Sequence, residues 1–209
     1  MTLATFYSAV SASLRRGASS DVLIPGWAAN AASWLEQNYT FGYMKRTESF
    51  TLEPDAATPN LLEIEDRLKT IEFVRARGRE NSNTFGYLTK VGPEEVASLD
   101  ESDPSYYWRD GPDKIYFDAN VQTALTLEIR AAWYTDWPSS DTATPTLLRF
   151  YPNLLQAQTL IEAAIDLKDE RMAAAYDAKF QRALQAVLVA EEEDKRVDAA
   201  PVMRYAPRS

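Results

Sequence analysis

LLRFYPNLLQAQTLIEAAIDL, residues 147–167, carries helical spacing on both sides of a proline. The residue before a proline is pushed out of helical geometry. A proline at the first position of a helix lacks only an amide hydrogen that has no partner there. Pro152 therefore predicts a corner: Thr144-Pro145 opens a short helix, TLLRFY, and a second helix starts at Pro152 itself. In that second helix Leu154, Leu155, Ala157, Leu160, Ile161, Ala164 and Ile165 cover most of the circumference, leaving Gln158, Glu162 and Asp166 as a narrow polar stripe. Such a helix is nearly surrounded by protein, and what surrounds it decides the fold.

Downstream, Met172, Tyr176, Phe180, Leu184, Val187 and Leu188 keep an amphipathic repeat through a helix from about Asp169 to Arg196. At 1.5 Å per residue it spans about 40 Å. The last segment, VDAAPVMRYAPRS (197–209), has two prolines and no periodicity, which predicts an extended tail. At the other end of the chain, Leu3, Phe6, Val10 and Leu14 mark a helix over residues 2–16, with Gly17 as its stop. A second helix runs from Pro25 to Asn38 with Trp27, Ala31, Trp34 and Leu35 on its apolar face.

Between these ends the period changes. KRTESFTLE (45–53) alternates as a strand, closed by Pro54 and Pro59, and strand-like pieces recur at Leu61–Glu65 and Thr70–Arg77, where Ile71 and Phe73 share a face. Gly92-Pro93-Glu94-Glu95-Val96 opens a short helix. SYYWRDGPDKIYFD holds two aromatic-rich runs about Asp110-Gly111, a hairpin pair. From Thr123 to Trp133, Leu125, Leu127, Ile129 and Trp133 alternate with Thr126, Glu128 and Arg130, so one face is buried and one is wet. That favours an antiparallel meander. The expected fold is α+β, mainly α. The N-terminal helices (1–43) and C-terminal helices (136–196) form a bundle, an antiparallel β region (44–135) is inserted, and a tail (197–209) extends from the end.

Composition narrows the chemistry. The 209 residues are 45% hydrophobic and 25% charged, as expected of a chain that buries a core. Thirty-one acids against 22 bases leave a net charge of −9, which repels nucleic acid unless bases cluster locally. There is no cysteine and no histidine. Disulfides, thiolate zinc sites and nucleophile–histidine pairs are therefore excluded, and only carboxylate, Lys, Tyr or Arg chemistry is left. No secretory leader and no membrane-length apolar run is visible, so a soluble protein made in a cytoplasm is expected, with no membrane partner.

No site declares itself. Asp100-Glu101-Ser102-Asp103 lacks the spacing of a calcium loop and reads as a solvated turn. Glu191-Glu192-Glu193-Asp194 points around half a helix and cannot converge on one ion. Two FGY triplets, at 41–43 and 85–87, have unmatched flanks and read as coincidence. Arg75, Arg77 and Arg79 alternate along one strand edge, but Glu65, Asp66, Glu72 and Glu80 surround them in sequence. A mixed-charge face is favoured over a nucleic-acid strip. No catalytic residue, cofactor or metal is expected. The tail, with Val202, Met203, Arg204, Tyr205 and Arg208, reads equally as a frayed terminus or as a segment that docks on a partner, for which its apolar and Arg/Tyr content is suited.

Several stretches together resemble one family. IPGWAANAASWLEQN followed by KRTESFTLE resembles the N-terminal half of phage head-to-tail adaptor (connector) proteins, in which a PxW-like opening leads a helix into a β region. YYWRDGPDKIYFD followed by LTLEIRAAWY resembles their turn-and-strand segment, and RFYPNLLQAQTLIEAA with the Ala-rich helix after it resembles their C-terminal signature. The likeness runs in order over roughly residues 20 to 197. It implies a structural virion protein of the phage neck, assembled in the host cytoplasm. Such a protein forms a ring, commonly dodecameric, beneath the portal, bridges portal to tail or neck proteins, and lets double-stranded DNA pass through its lumen. It carries no catalytic residues. On that reading the tail residues Val202, Met203, Arg204, Tyr205 and Arg208 contact the portal. A tail terminator assembling in sixes is the second reading, and a histidine-free carboxylate hydrolase the third.

Overall fold

A computed structural model describes residues 1–15, 18–54, 60–64, 68–77, 85–95, 104–119, 121 and 124–198. The chain forms two compact units, Met1–Phe41 with Asp136–Ser209, and Gly42–Thr135.

In the first unit α1 is Leu3–Leu14, with Leu3, Phe6, Val10 and Leu14 buried as their spacing predicts. The Thr2 side chain accepts from the Thr5 amide, and the amides of Leu3 and Ala4 donate to the carbonyls of Ala143 and Asp141 at 3.0 and 2.9 Å. The loop after the β region thus satisfies donors that a helix start leaves unpaired. Arg15, at φ 53°, takes the left-handed position that closes α1; the expected stop, Gly17, lies outside the described residues. A short helix, α2 (Ala18–Asp21), precedes α3 (Ile24–Asn38), which has its proline in the first turn and buries Ile24, Trp27, Ala28, Ala31, Ala32, Leu35 and Glu36. Trp34, expected on that buried face, is 37% exposed.

The proline corner forms as the sequence predicts. α4 (Thr146–Phe150) ends at Tyr151, whose φ and ψ of −131° and 54° are not helical, and α5 (Pro152–Asp166) begins at the proline. Lys168, at φ 54°, reverses the chain into α6 (Glu170–Asp198), where the Asp169 carboxylate caps the Met172 amide at 3.0 Å. The buried arc of α5 is rotated from expectation. Gln158 is 4% exposed and donates to Glu162 at 2.9 Å, Thr159 is fully buried against the Leu155 carbonyl, and Ile165 is 63% exposed. Apolar residues cover so much of α5 that spacing alone does not say which side is open. Asp166, in the expected wet stripe, accepts from Trp27 Nε1 at 3.0 Å and ties α3 to the end of α5. α6 buries only Phe180 and Leu184 among its described side chains, and Leu188 is 42% exposed.

The second unit holds β1 (Lys45–Leu52), β2 (Leu61–Glu63), β3 (Leu68–Arg77), β4 (Phe85–Lys90), β5 (Tyr106–Asp110), β6 (Lys114–Phe117) and β7 (Leu125–Trp133). Single 3-10 turns occupy Gly42–Met44 and Pro93–Glu95. The strands join in one sheet in the order β1-β7-β3-β4-β5-β6-β2. Gly111, at φ 78°, supplies the left-handed residue of the β5–β6 turn. The core gathers Leu52, Leu62, Ile64, Leu68, Val74, Leu88, Tyr107, Ile115, Phe117, Leu125, Leu127, Ile129 and Trp133.

These findings correct the expected fold class. Among the described residues about 49% are helical and 28% lie in strands, the seven described strands make a nearly closed, barrel-like sheet, and the helices are mostly C-terminal. A mainly helical bundle of N- and C-terminal helices does not describe it. The sheet is no meander either. β7, the most apolar strand, lies between β1 and β3, and β4 pairs with β5 in parallel through Thr89↔Tyr106 and Lys90↔Tyr107. Spacing reports which face of a strand is buried, but the neighbours that bury it are chosen by long-range pairing. The expected tail, apart from Val197 and Asp198 at the end of α6, lies outside the described residues.

Candidate interaction surfaces

β3 shapes the outer face of the sheet. Its pairing with β7 shifts register between Leu68 and Thr70 and again between Ile71 and Phe73. Each shift inserts a residue and breaks the two-residue alternation. Ile71 consequently packs against the core, while Phe73 lies outside against Tyr87, with ring centroids 5.5 Å apart and edge to face. The two do not share a face as expected. Tyr87 itself is 68% exposed, and Tyr106 on β5 is also exposed. β4 was not legible as a strand: its FGY reads as coincidence, although FGYLTK alternates as strands do.

The first register shift exposes backbone carbonyls, and Arg109 on β5 meets them. Its guanidinium donates to the Lys69 carbonyl at 2.8 Å, to the Leu68 carbonyl, and to Gly111 at 2.6 Å. Burial pushes the Arg109 guanidinium below its ordinary pKa. One side chain thus fastens the β5–β6 hairpin to the start of β3.

Charge on this face is largely compensated. Glu72 accepts from Lys45 on β1 and from Arg130 on β7, the latter at 2.9 Å. The hydrogen bond from Lys45, ahead of its charge and that of Arg130, holds the Glu72 carboxyl below its ordinary pKa. Arg75 sits opposite Glu128 in the β3–β7 register and donates to its carboxylate at 2.7 Å. The basic strip of the sequence is therefore a mixed-charge face at Arg75, and Arg79 lies outside the described residues. Behind it, Trp133 is fully buried under the Arg46 guanidinium, 5.1 Å from its ring, and stacked on Phe50. Its Nε1 has no acceptor among the described residues.

On the helical unit, Tyr151 donates to Glu191 at 2.6 Å and packs on Phe41, which pins α6 to the proline corner. Trp34 meets Phe180 edge-on at 5.8 Å. Beyond these contacts much of α6 is exposed, Val189 included. Of the acidic run at 191–194, Glu192 and Glu193 point to solvent as expected, whereas Glu191 is engaged by Tyr151. The other acidic cluster, Asp100 to Asp103, lies outside the described residues. Among the described residues no three or more His, Cys, Asp or Glu side chains are grouped to hold a metal ion, and no described helix is long and apolar enough to cross a membrane.

The family model of the SU10 adaptor protein matches residues 1–205. The chain belongs to the SU10 adaptor protein family. No curated protein matches it. The family is one of phage head-to-tail adaptors, structural proteins and not enzymes. Membership implies association with portal and tail proteins and a place in the virion neck. In this SU10 adaptor the matched residues include Val202, Met203, Arg204 and Tyr205 and stop short of Arg208. All five of these tail residues lie outside the described residues.

Proposed function

We propose that this SU10 adaptor assembles as a dodecameric ring beneath the portal and joins the DNA-filled capsid to the tail, with double-stranded DNA passing through its lumen. The family match over residues 1–205 carries this reading. Two features support it. A net charge of −9 suits a lumen wall that repels DNA and lets it slide. The 29-residue α6, exposed over most of its described surface, offers area for neighbours in a ring closed by head-to-tail contacts. The portal contact is assigned to Val202, Met203, Arg204, Tyr205 and Arg208, on a segment rich in the residue types that anchor interfaces.

Deleting residues 199–209, which leaves α6 intact, should weaken binding to portal particles at least tenfold without changing the circular dichroism of the chain. Undiminished binding would remove the portal role of the tail. Electron micrographs of the adaptor on its portal should show twelve copies. Six would favour the tail-terminator reading.

A further inference from the structure

A cavity of about 230 Å³ opens between α1, α5 and α6, lined by Ser13, Asn153, Gln156 and Lys179 together with Ala157, Leu160 and Ala183. Its polar lining is rich in donors. Gln156 donates to Ser13 Oγ at 3.3 Å, and Ser13 Oγ donates to the Ala9 carbonyl. The Lys179 ammonium lies over the Tyr176 ring, 4.9 Å from its centre. Among the described residues Lys179 pairs with no carboxylate and the Asn153 amide makes no hydrogen bond. No Asp or Glu lines the cavity. Lys179 and Asn153 are both exposed, so the cleft presents an ammonium and an amide with no acid among its lining residues. The ligand chemistry that completes it is a carboxylate, which accepts from the ammonium and from a neighbouring amide at once.

The same helix supplies candidates at its other end. Glu192 and Glu193 are exposed on α6, whereas Glu191 is engaged by Tyr151. Glu193 lies 14 residues beyond Lys179, roughly 20 Å along the axis and only about 40° around it. A continuous helix cannot fold those ends together, so a Lys179–Glu193 contact must join two copies. The α6 face between them carries Ala186, Val189 and Ala190, all exposed, which let a second chain approach closely.

We propose that this cavity is a subunit–subunit socket: the Glu192–Glu193 end of α6 in one copy docks a carboxylate against Lys179 and Asn153 of the next. Joined head to tail, such contacts leave one socket and one acidic end free at each step and propagate until a ring closes. It rests on the ring reading and specifies where neighbouring copies hold each other.

The test is self-association of the full-length chain, followed by mass photometry and sedimentation. Lys179→Glu and Glu193→Lys should each weaken assembly at least tenfold, and an equimolar mixture of the two should restore it, because each variant then meets the opposite charge. Asn153→Asp places a carboxylate in the socket while putting an acid in the first turn of α5, where the helix favours one. It should fold and still assemble poorly. Raising salt should weaken the parent assembly in the same way. If all three variants assemble like the parent, the socket is overturned while the ring reading stands. A parent particle of only two copies, still broken by Lys179→Glu and rescued by mixing, would keep the socket and sink the ring. A parent chain that stays monomeric alone and on portal particles would overturn both.

Discussion

A single buried atom separates two effects at Trp133. The ring is fully buried among core side chains, yet its N–H meets no acceptor among the described residues. Leaving a buried donor unpaired costs about 1–3 kcal/mol, which offsets part of what the ring's burial contributes. Trp133→Ala should therefore cost about 3–5 kcal/mol through the cavity it leaves. Trp133→Phe keeps most of the ring, removes the orphaned donor, and should cost about 1 kcal/mol or less. Urea denaturation of the three proteins measures this, and equal losses for Phe and Ala would contradict it. Nothing in the sequence marks the orphan. The alternation of residues 125–133 shows that Trp133 points inward, but whether its nitrogen finds a partner depends on chains brought from elsewhere.

Among the elements, β3 carries most of the discrepancy between sequence and structure. Its two register shifts turn Phe73 outward and free the carbonyls of Leu68 and Lys69, which Arg109 then satisfies from another hairpin. Arg109→Met should lose about 2 kcal/mol, the scale of hydrogen bonds from a charged donor whose acceptors stay behind. Arg109→Lys should recover only part, since one ammonium cannot fork to two strand carbonyls and a turn. Thermal melts give the ranking, and amide exchange across β5 and β6 should rise in both variants. A Lys variant as stable as the parent would show that the fork is dispensable. The β5–β6 hairpin itself was legible, because Asp110-Gly111 between aromatic runs has a local cause. A bulge opposite a distant strand has none in its own segment.

Taken whole, the molecule is acidic, and one part of its response to pH comes from Glu72. Its folded pKa lies below the ordinary 4.5 because Lys45, and then Arg130, favour the ionised form. A carboxyl lowered on folding contributes stability that is fully present above its unfolded pKa and is lost as pH falls through the folded value. The melting temperature should therefore hold from pH 7 to about 5 and fall below 4.5, and Glu72→Gln should flatten that fall. The difference should be modest, since Glu72 is partly exposed and screened. Parallel acid limbs for parent and variant would remove Glu72 from the account. At this scale the chain's own residues determined what its neighbours in sequence can enforce: a corner at Pro152, a reversal at Gly111, an apolar face on β7, and, through the absence of His and Cys, a narrow range of possible chemistry. Tertiary structure decided the rest. It set β7 between β1 and β3, ran β4 parallel to β5, buried Gln158 while exposing Ile165, and brought Ser13, Asn153 and Lys179 to one cleft. Periodicity encodes which side of an element avoids water, whereas the partner that covers that side is settled only by competition among distant segments of the folded chain.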